Sequence, residues 1–388
     1  MKDVKISNDI IYIGADDKDI DLFENQYKVP NGISYNSYVI MDEKIAIMET
    51  IDRRKTDEWL ENLENALNGR EPDYLIISHL EPDHAYNIGT VIKKYPNIKL
   101  VGNSKTFAFL PQFFDIEDLE ERKVEVKEGD ILELGKHKLR FIIAPMVHWP
   151  EVMMEYEETE KILFSADGFG KFGTLDTDED WDCEARRYYF NIVGKYGMQV
   201  QSVLKKASQL EIKTICPLHG PILRENLSHY INKYDIWSKY ETESEGVYIA
   251  CASIHGNTLK VCEKLKEILE EKGAAKVVLA DLSREDWAEA VEDSFRYGKI
   301  VFASATYDMG IFTPMRDLLL NLKEKNYQNK KVAIIENGTW APNAGKCMKE
   351  IIATMKNVEI VEPVVTIKST LKEENIEKLN ELAENLLK

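Results

Sequence analysis

Six consecutive residues constrain this chain more than any others: His79-Leu80-Glu81-Pro82-Asp83-His84, directly behind the apolar run Tyr74-Leu-Ile-Ile-Ser78. Two imidazoles and two carboxylates in one loop serve no core and repel one another unless a cation lies between them. The apolar run reads as a buried strand. Pro82 cannot continue it, so the chain turns there and sends alternate side chains toward a common point. Other chemically distinctive residues repeat the placement. His148 follows the strand ending at Ala144-Pro145, Asp167 closes Ile162-Leu-Phe-Ser-Ala-Asp167, and His219 follows Thr214-Ile-Cys-Pro-Leu218. Four histidines (His79, His84, His148, His219) and three carboxylates (Glu81, Asp83, Asp167) are too many ligands for one tetrahedral zinc and suit two metals sharing a bridge. Nitrogen and oxygen donors fit iron or manganese with open positions, and a dizinc hydrolase is compatible with the same chemistry. His137, in Gly135-Lys-His-Lys138, and His229, in a helical stretch, read as structural, and Cys216 as an apolar filler.

Around this cluster the first half is cut by turn residues into short apolar runs: 10–14, 37–41, 45–49, 74–78, 100–102, 138–144 and 162–166. Helical periodicity is clearest over 55–67 and 89–94, with a long helix expected over 182–210 and another over 225–240. Many short strands with few helices predict two layered sheets flanked by helices. The polar, acidic segment Glu241-Thr-Glu-Ser-Glu-Gly246 is the expected boundary, giving domains 1–245 and 246–388. Beyond it, strands (247–252, 276–280, 299–304, 331–336, 360–367) alternate with amphipathic helices (258–272, 284–294, 313–323, 344–355, 372–387). Five such units predict a doubly wound parallel sheet, so the whole chain is of α/β class.

The first strand of that second domain runs into Ser253-Ile-His-Gly-Asn-Thr258 and then a helix. Small and hydroxyl residues there offer backbone N–H groups and side-chain donors to a phosphate at the positive helix end. Two later loops follow strands of the same sheet: Ser304-Ala305-Thr306-Tyr307-Asp308-Met309-Gly310 and Glu336-Asn337-Gly338-Thr339-Trp340-Ala341. A flavin needs backbone donors for its pyrimidine edge and an apolar or aromatic wall, which Tyr307, Met309 and Trp340 could form. The absence of G-x-G-x-x-G favours a mononucleotide over NAD. Candidate cofactor contacts are therefore Ser253, His255, Gly256, Asn257 and Thr258, then Ala305 to Gly310, then Asn337 to Ala341.

Composition excludes several classes. With 388 residues, 68 Asp+Glu against 50 Lys+Arg and a net charge of −18, the chain repels phosphate backbones and anionic membranes, so no nucleic-acid or membrane partner is expected. No stretch approaches 18 apolar residues, and the start lacks an apolar signal region. Five cysteines, an odd number without C-x-x-C spacing, suggest reduced thiols in a cytoplasm and no built-in rubredoxin-type iron module.

The H-x-E-x-D-H run resembles the metallo-β-lactamase superfamily, whose hydrolases usually carry H-x-H-x-D-H; Glu81 in place of the second histidine is the mark of its diiron branch. The Ser253 to Thr258 loop is similar to the T-x-T-G-x-T of flavodoxins and departs from it at His255. Both halves together resemble the flavodiiron proteins, or A-type flavoproteins, over nearly the whole chain. The resemblance implies a metallo-β-lactamase-like αββα sandwich followed by a flavodoxin-like domain. It implies one iron on His79, Glu81 and His148, another on Asp83, His84 and His219, an Asp167 bridge, and FMN. Further implied are reduction of dioxygen to water, of nitric oxide to nitrous oxide, or of both, and a head-to-tail homodimer or a dimer of dimers that brings the flavin of one chain to the irons of another. Electrons would come from a separate donor such as rubredoxin or a reduced deazaflavin coenzyme. Tyr196 is a candidate proton donor and Trp149, beside His148, a candidate junction residue. The competing expectations are a zinc hydrolase with a fused flavodoxin domain and a non-catalytic electron carrier or redox sensor.

Overall fold

The structure, a computed structural model, describes residues 4–388. Contacts divide it into two units, one running to Tyr189 and including Met198–Asp235, the other comprising Phe190–Gly197 and Ile236–Lys388.

The first unit is built on two large sheets, beside which Ala15–Asp17 pairs with Ile33–Tyr35 and Leu22–Phe23 with Tyr27–Lys28. One has six strands in the spatial order Ile10–Tyr12, Tyr38–Ile40, Ala46–Met48, Tyr74–Ile76, Lys99–Gly102 and Lys123–Glu125. The other has five, in the order Ile131–Glu133, Lys138–Ile143, Met153–Glu157, Ile162–Phe164 and Thr214–Cys216. Side chains at alternate positions of the first sheet (Ile10, Tyr12, Tyr38, Ile40, Ala46, Met48) meet Leu139, Phe141, Met153, Ile162 and Phe164 of the second in one buried cluster. The period-2 pattern thus gives each sheet one face to bury, each such side chain contributing about 2 kcal/mol. Strands 74–76, 162–164 and 214–216 run in parallel pairings, Tyr74↔Ala46 and Ile162↔Thr214 among them. The loops after their carboxyl ends carry His79, Asp167 and His219.

The strand Met153–Glu157 was not expected from the sequence. It is buried at all five positions, and its two glutamates are accommodated by partners: His137 Nδ1 lies 3.0 Å from Glu157, and Ser78 Oγ donates to Glu155 at 3.2 Å. The single helix expected over 182–210 is also corrected. The chain forms the helix Trp181–Tyr188, a wider π-type stretch Tyr189–Val193, a 3-10 turn Gly194–Tyr196 and the helix Gly197–Ala207. A Cβ on Gly197 would lie 2.3 Å from the Ser238 carbonyl oxygen, so a close backbone approach holds the break where two glycines weaken the helix.

The second unit is a parallel sheet in the order Val277–Asp281, Ser244–Ala252, Tyr297–Tyr307, Gln328–Asn337, Lys356–Ile367, with the short strand Gly310–Ile311 paired to the third of these. The sheet order, 2-1-3-4-5 in chain numbering, is that of flavodoxin-like folds. The helix Asn257–Glu271 buries Thr258, Val261, Cys262, Leu265, Ile268 and Leu269, one face at 3.6-residue spacing. Gly256 precedes it at φ +83 with open space around its Cβ position, so conformation rather than crowding calls for glycine. The strands and helices expected after residue 246 are all present, with ends shifted by a few residues.

Candidate metal centre and cofactor cavity

In the first unit the seven candidate ligands converge. His79, Glu81, His148 and Asp167 form one group of potential metal ligands, and Asp83, His84 and His219 another. Asp167 addresses both. Its Oδ2 lies 3.1 Å from both His79 Nε2 and His148 Nε2, while its Oδ1 lies 3.8 Å from His84 Nε2 and 3.7 Å from His219 Nε2. Glu81 Oε2 lies 2.9 Å from His148 Nε2 and 3.8 Å from His79 Nε2, and Asp83 Oδ2 lies 3.3 Å from His84 Nε2 and 3.2 Å from His219 Nε2. Ligands each about 2.1 Å from one ion at roughly right angles are about 3 Å apart, so this spacing is that of a coordination shell.

The local chain explains the convergence. Pro82 opens a one-turn helix, Pro82–Ala85, that carries Asp83 and His84 back under the strand end. His219 Nδ1 bonds the Ser34 carbonyl oxygen at 2.7 Å, which leaves Nε2 to face the cluster, the arrangement usual for a ligating histidine. His79 is clamped by its neighbours: a Glu49 carboxylate oxygen accepts from Ser78 N and a Glu151 oxygen accepts from Leu80 N at 3.0 Å.

The electrostatics call for a cation. Five of the seven residues are buried, and His79 Nδ1 and Nε2, both Asp83 oxygens, His84 Nδ1 and Asp167 Oδ1 have no hydrogen-bond partner. His84 Nε2 and His219 Nε2 face each other at 3.0 Å. Burial, reinforced by His219, pushes His84 down to about 3, so it is a neutral donor of lone pairs. Burial alone would also lower His79, but the Asp167 carboxylate outweighs it and lifts the imidazole to about 10. Despite its burial, Asp167 is held well below the carboxylate range by His79 and His148. Orphaned, buried donors of hard nitrogen and oxygen are what two resident metal ions would satisfy. Thiolates play no part: Cys216 is buried and its thiol is pushed upward by burial.

Beside these ligands a cavity of about 580 Å³ opens among Ile20, Phe23, Glu24, Tyr35, Arg53 and Tyr86, with Glu81 and Asp83 in its wall. Phe23, Tyr35 and Tyr188 set their rings 5.4, 5.9 and 5.6 Å from that of His219. Tyr196 lies in the 3-10 turn Gly194–Tyr196, within the second unit, and the tyrosines whose rings pack against His219 are Tyr35 and Tyr188. The sequence offered no signal for Tyr35, which lies outside the apolar runs read from it, and none that separated Tyr188 from its neighbour Tyr189. Trp149 lies 6.5 Å from both His79 and His148, ring to ring.

In the second unit a cavity of about 560 Å³ lies at the carboxyl ends of the parallel strands. Ser253, His255, Asn257 and Thr258 line it, with Ala305 to Met309 and Asn337 to Ala341; Gly256 and Gly310 border it in the same loops, and Ile254 and Ser369 are lining residues the sequence did not single out. Ser369 belongs to a loop after the last strand, which no motif marked. Ser253 Oγ is buried without a partner, as a phosphate-facing hydroxyl would be. Thr306 Oγ1 accepts from Asn343 N and Ala344 N, at 3.0 and 3.1 Å, and Asn343 Nδ2 donates to the Met309 carbonyl oxygen, so the two ring-side loops are fastened together. The cavity walls, neutral hydroxyls and amides with an aromatic rim, fit a flavin mononucleotide. Trp340 at this rim is 89% exposed and Met309 58%. Among the described residues no helix is long and apolar enough to cross a membrane.

The profile of the ODP family beta lactamases matches residues 33–220. A nitric oxide reductase of Moorella thermoacetica is 28% identical over 99% of this chain and 98% of its own length. A putative diflavin flavoprotein A 2 of Synechocystis is 31% identical over 70% of this chain, which spans about half (48%) of that relative. The solved structure of rubredoxin oxygen:oxidoreductase from the anaerobe Desulfovibrio gigas superposes with a TM-score of 0.91 at 25% identity, covering 98% of this chain and 97% of that one.

Proposed function

We propose, from the premise that this chain belongs to the flavodiiron protein family, that it reduces dioxygen to water, nitric oxide to nitrous oxide, or both, with electrons passed from an external donor through FMN to two irons. The observation that carries this reading is Asp167, which turns one carboxylate oxygen to each of two ligand groups. His79, Glu81 and His148 would hold one iron, Asp83, His84 and His219 the other, with Asp167 between. The irons would supply Lewis-acid polarisation and electrons to a small uncharged gas. The chain's own residues prepare the place. Ser34 fixes the His219 ring, Glu49 and Glu151 fix the backbone on either side of His79, and Phe23, Tyr35 and Tyr188 pack rings against His219 and limit water there.

Residues 1–245 are the proposed metal domain and 246–388 the FMN domain. The names of the relatives suggest the substrates and one donor: nitric oxide for the Moorella protein, rubredoxin and oxygen for the Desulfovibrio one. Reduced deazaflavin coenzyme is the other candidate donor, and five free cysteines suit a reducing cytoplasm. Charge supports the head-to-tail dimer. The cavity beside the proposed metal ligands is edged by Asp21, Glu24 and Asp52, which outnumber Arg53 and Arg54 in the same wall. Near the flavin cavity, Lys260, Lys346, Lys368 and Lys372 are exposed, and the helices carrying Lys260 and Lys346 have no acid in their first turns. Cations at helix N-termini oppose the helix dipole, a cost that an acidic partner surface offsets.

The test is anaerobic steady-state turnover of purified protein with each gas and each donor, beside metal analysis after expression with iron and zinc both available. Two irons per chain and gas reduction are expected. Full activity of an iron-free, zinc-loaded sample would overturn the diiron reading.

A further inference from the structure

Asn337 ends the strand Gln328–Asn337 at the floor of the flavin cavity and is 7% exposed. Its side-chain oxygen accepts from Ser369 N at 3.0 Å, and its amide nitrogen donates to the Ser369 carbonyl oxygen at 2.9 Å and, over a longer 3.4 Å, to Thr258 Oγ1. Ser369 presents one donor and one acceptor, which fixes the orientation of the amide, and its two N–H groups are then both in use. Asn337 therefore has no donor left for a ligand, although it lines the cavity.

The consequence falls on Thr258. Its hydroxyl has one proton to give; with Asn337 donating to the oxygen, that proton must point elsewhere. Thr258 is 2% exposed, stands in the first turn of the helix Asn257–Glu271, and lines the same cavity as Ser253, whose Oγ is buried with no partner. A second tie holds the same corner: Thr339 Oγ1 and Ser369 Oγ are 2.8 Å apart.

We propose that Asn337 is a positioning residue for the FMN phosphate: it orients the Thr258 hydroxyl as a phosphate donor and fastens the phosphate helix to the Ser369 loop. The proposal rests on the FMN reading above. It separates two roles within the loop 337–341, the first residue acting on the phosphate through Thr258 while Trp340 serves the ring.

Riboflavin, which has the ring and no phosphate, gives the test. Full-length apoprotein would be titrated with FMN and with riboflavin by flavin fluorescence. Asn337→Ala and Thr258→Val should each raise the FMN dissociation constant roughly tenfold and leave that of riboflavin within about twofold. The double variant should lose little more than either single one, since both remove the same oriented donor. Thr258→Ser, which keeps the hydroxyl, should restore the wild-type ratio. Should Asn337→Ala fail to fold, Asn337→Asp keeps the acceptor for Ser369 N, lacks the donor to Thr258, and reads the same ratio. An Asn337 variant that weakens FMN and riboflavin equally, or neither, would overturn the inference while wild-type FMN binding stands. Wild-type apoprotein that binds neither flavin would overturn the FMN reading and the inference with it.

Discussion

In the first unit the residues gathered at the strand ends are ionisable, mostly sealed from solvent and left with orphaned atoms, whereas the cavity of the second is walled by hydroxyls, amides and apolar groups, with Asp308 its sole carboxylate. Net charge divides the same way: residues 1–245 carry 46 acids against 30 bases, and residues 246–388 carry 22 against 20. The first gathers buried polar atoms that have no partner in the protein; the second is tied together by hydrogen bonds of Thr306, Asn337 and Asn343. The lesson is that pre-organisation is reached by two routes, and that loss of ligand should cost the two units different amounts.

The largest expected effect follows directly. Stripping metal from the holoprotein should lower its thermal midpoint more than stripping flavin does, because the vacated ligand shell keeps buried, unpaired imidazoles and carboxylates. Asp167→Ala should reproduce the metal-free state: loss of iron from both groups and of gas reduction by a thousandfold or more on the order of a whole cofactor's contribution, with flavin absorbance retained. Equal shifts on removing metal and flavin would erase the contrast. A smaller effect should follow His84→Ala. His84 faces the group of Asp83 and His219 more closely than it faces Asp167, so roughly half the iron should be lost while that on His79, Glu81 and His148 stays. Iron analysis beside ultraviolet and visible spectra decides; full retention of iron would mean that His84 only packs against the site.

The contrast also explains what the sequence made legible. Imidazoles and carboxylates at strand ends are chemically distinctive, so the proposed metal ligands His79, Glu81, Asp83, His84, His148, Asp167 and His219 stood out one by one, each placed by the strand before it. The proposed flavin cavity is lined by common side chains, so its loops were visible only through the repeating order of strand and helix, and Ile254 and Ser369 escaped notice. Long strands such as Lys356–Ile367 made the second unit easy to parse, while three-residue strands left the first ambiguous. Glu155 and Glu157 hid a fully buried strand, since a charge pattern does not reveal that its partners are waiting at Ser78 and His137. The break at Gly194 to Gly197 depends on a backbone contact with Ser238, more than forty residues downstream in sequence, which periodicity cannot register.

The smallest effect belongs to a lysine that the second unit seals in. Lys330, 3% exposed, donates from Nζ to the Phe295 carbonyl oxygen at 2.7 Å, near the end of the helix Trp287–Arg296, and burial pushes it down to about 7. The ordinary lysine value, which the unfolded chain keeps, is about 10.4. Between these values the folded chain binds fewer protons than the unfolded one, so this group makes stability rise with pH from about 7 to about 10; its cost is fully present below 7 and absent above that window. Lys330→Met removes the titration and leaves the Phe295 carbonyl oxygen without that donor. The variant should therefore be less stable than wild type by about 1 kcal/mol at pH 10, with the difference shrinking or reversing at pH 6. Thermal midpoints of the two full-length proteins, compared at both pH values under identical salt, provide the check. A difference that does not change with pH would mean that Lys330 stays charged in the folded chain and that the second unit, like the first, stabilises a buried ion.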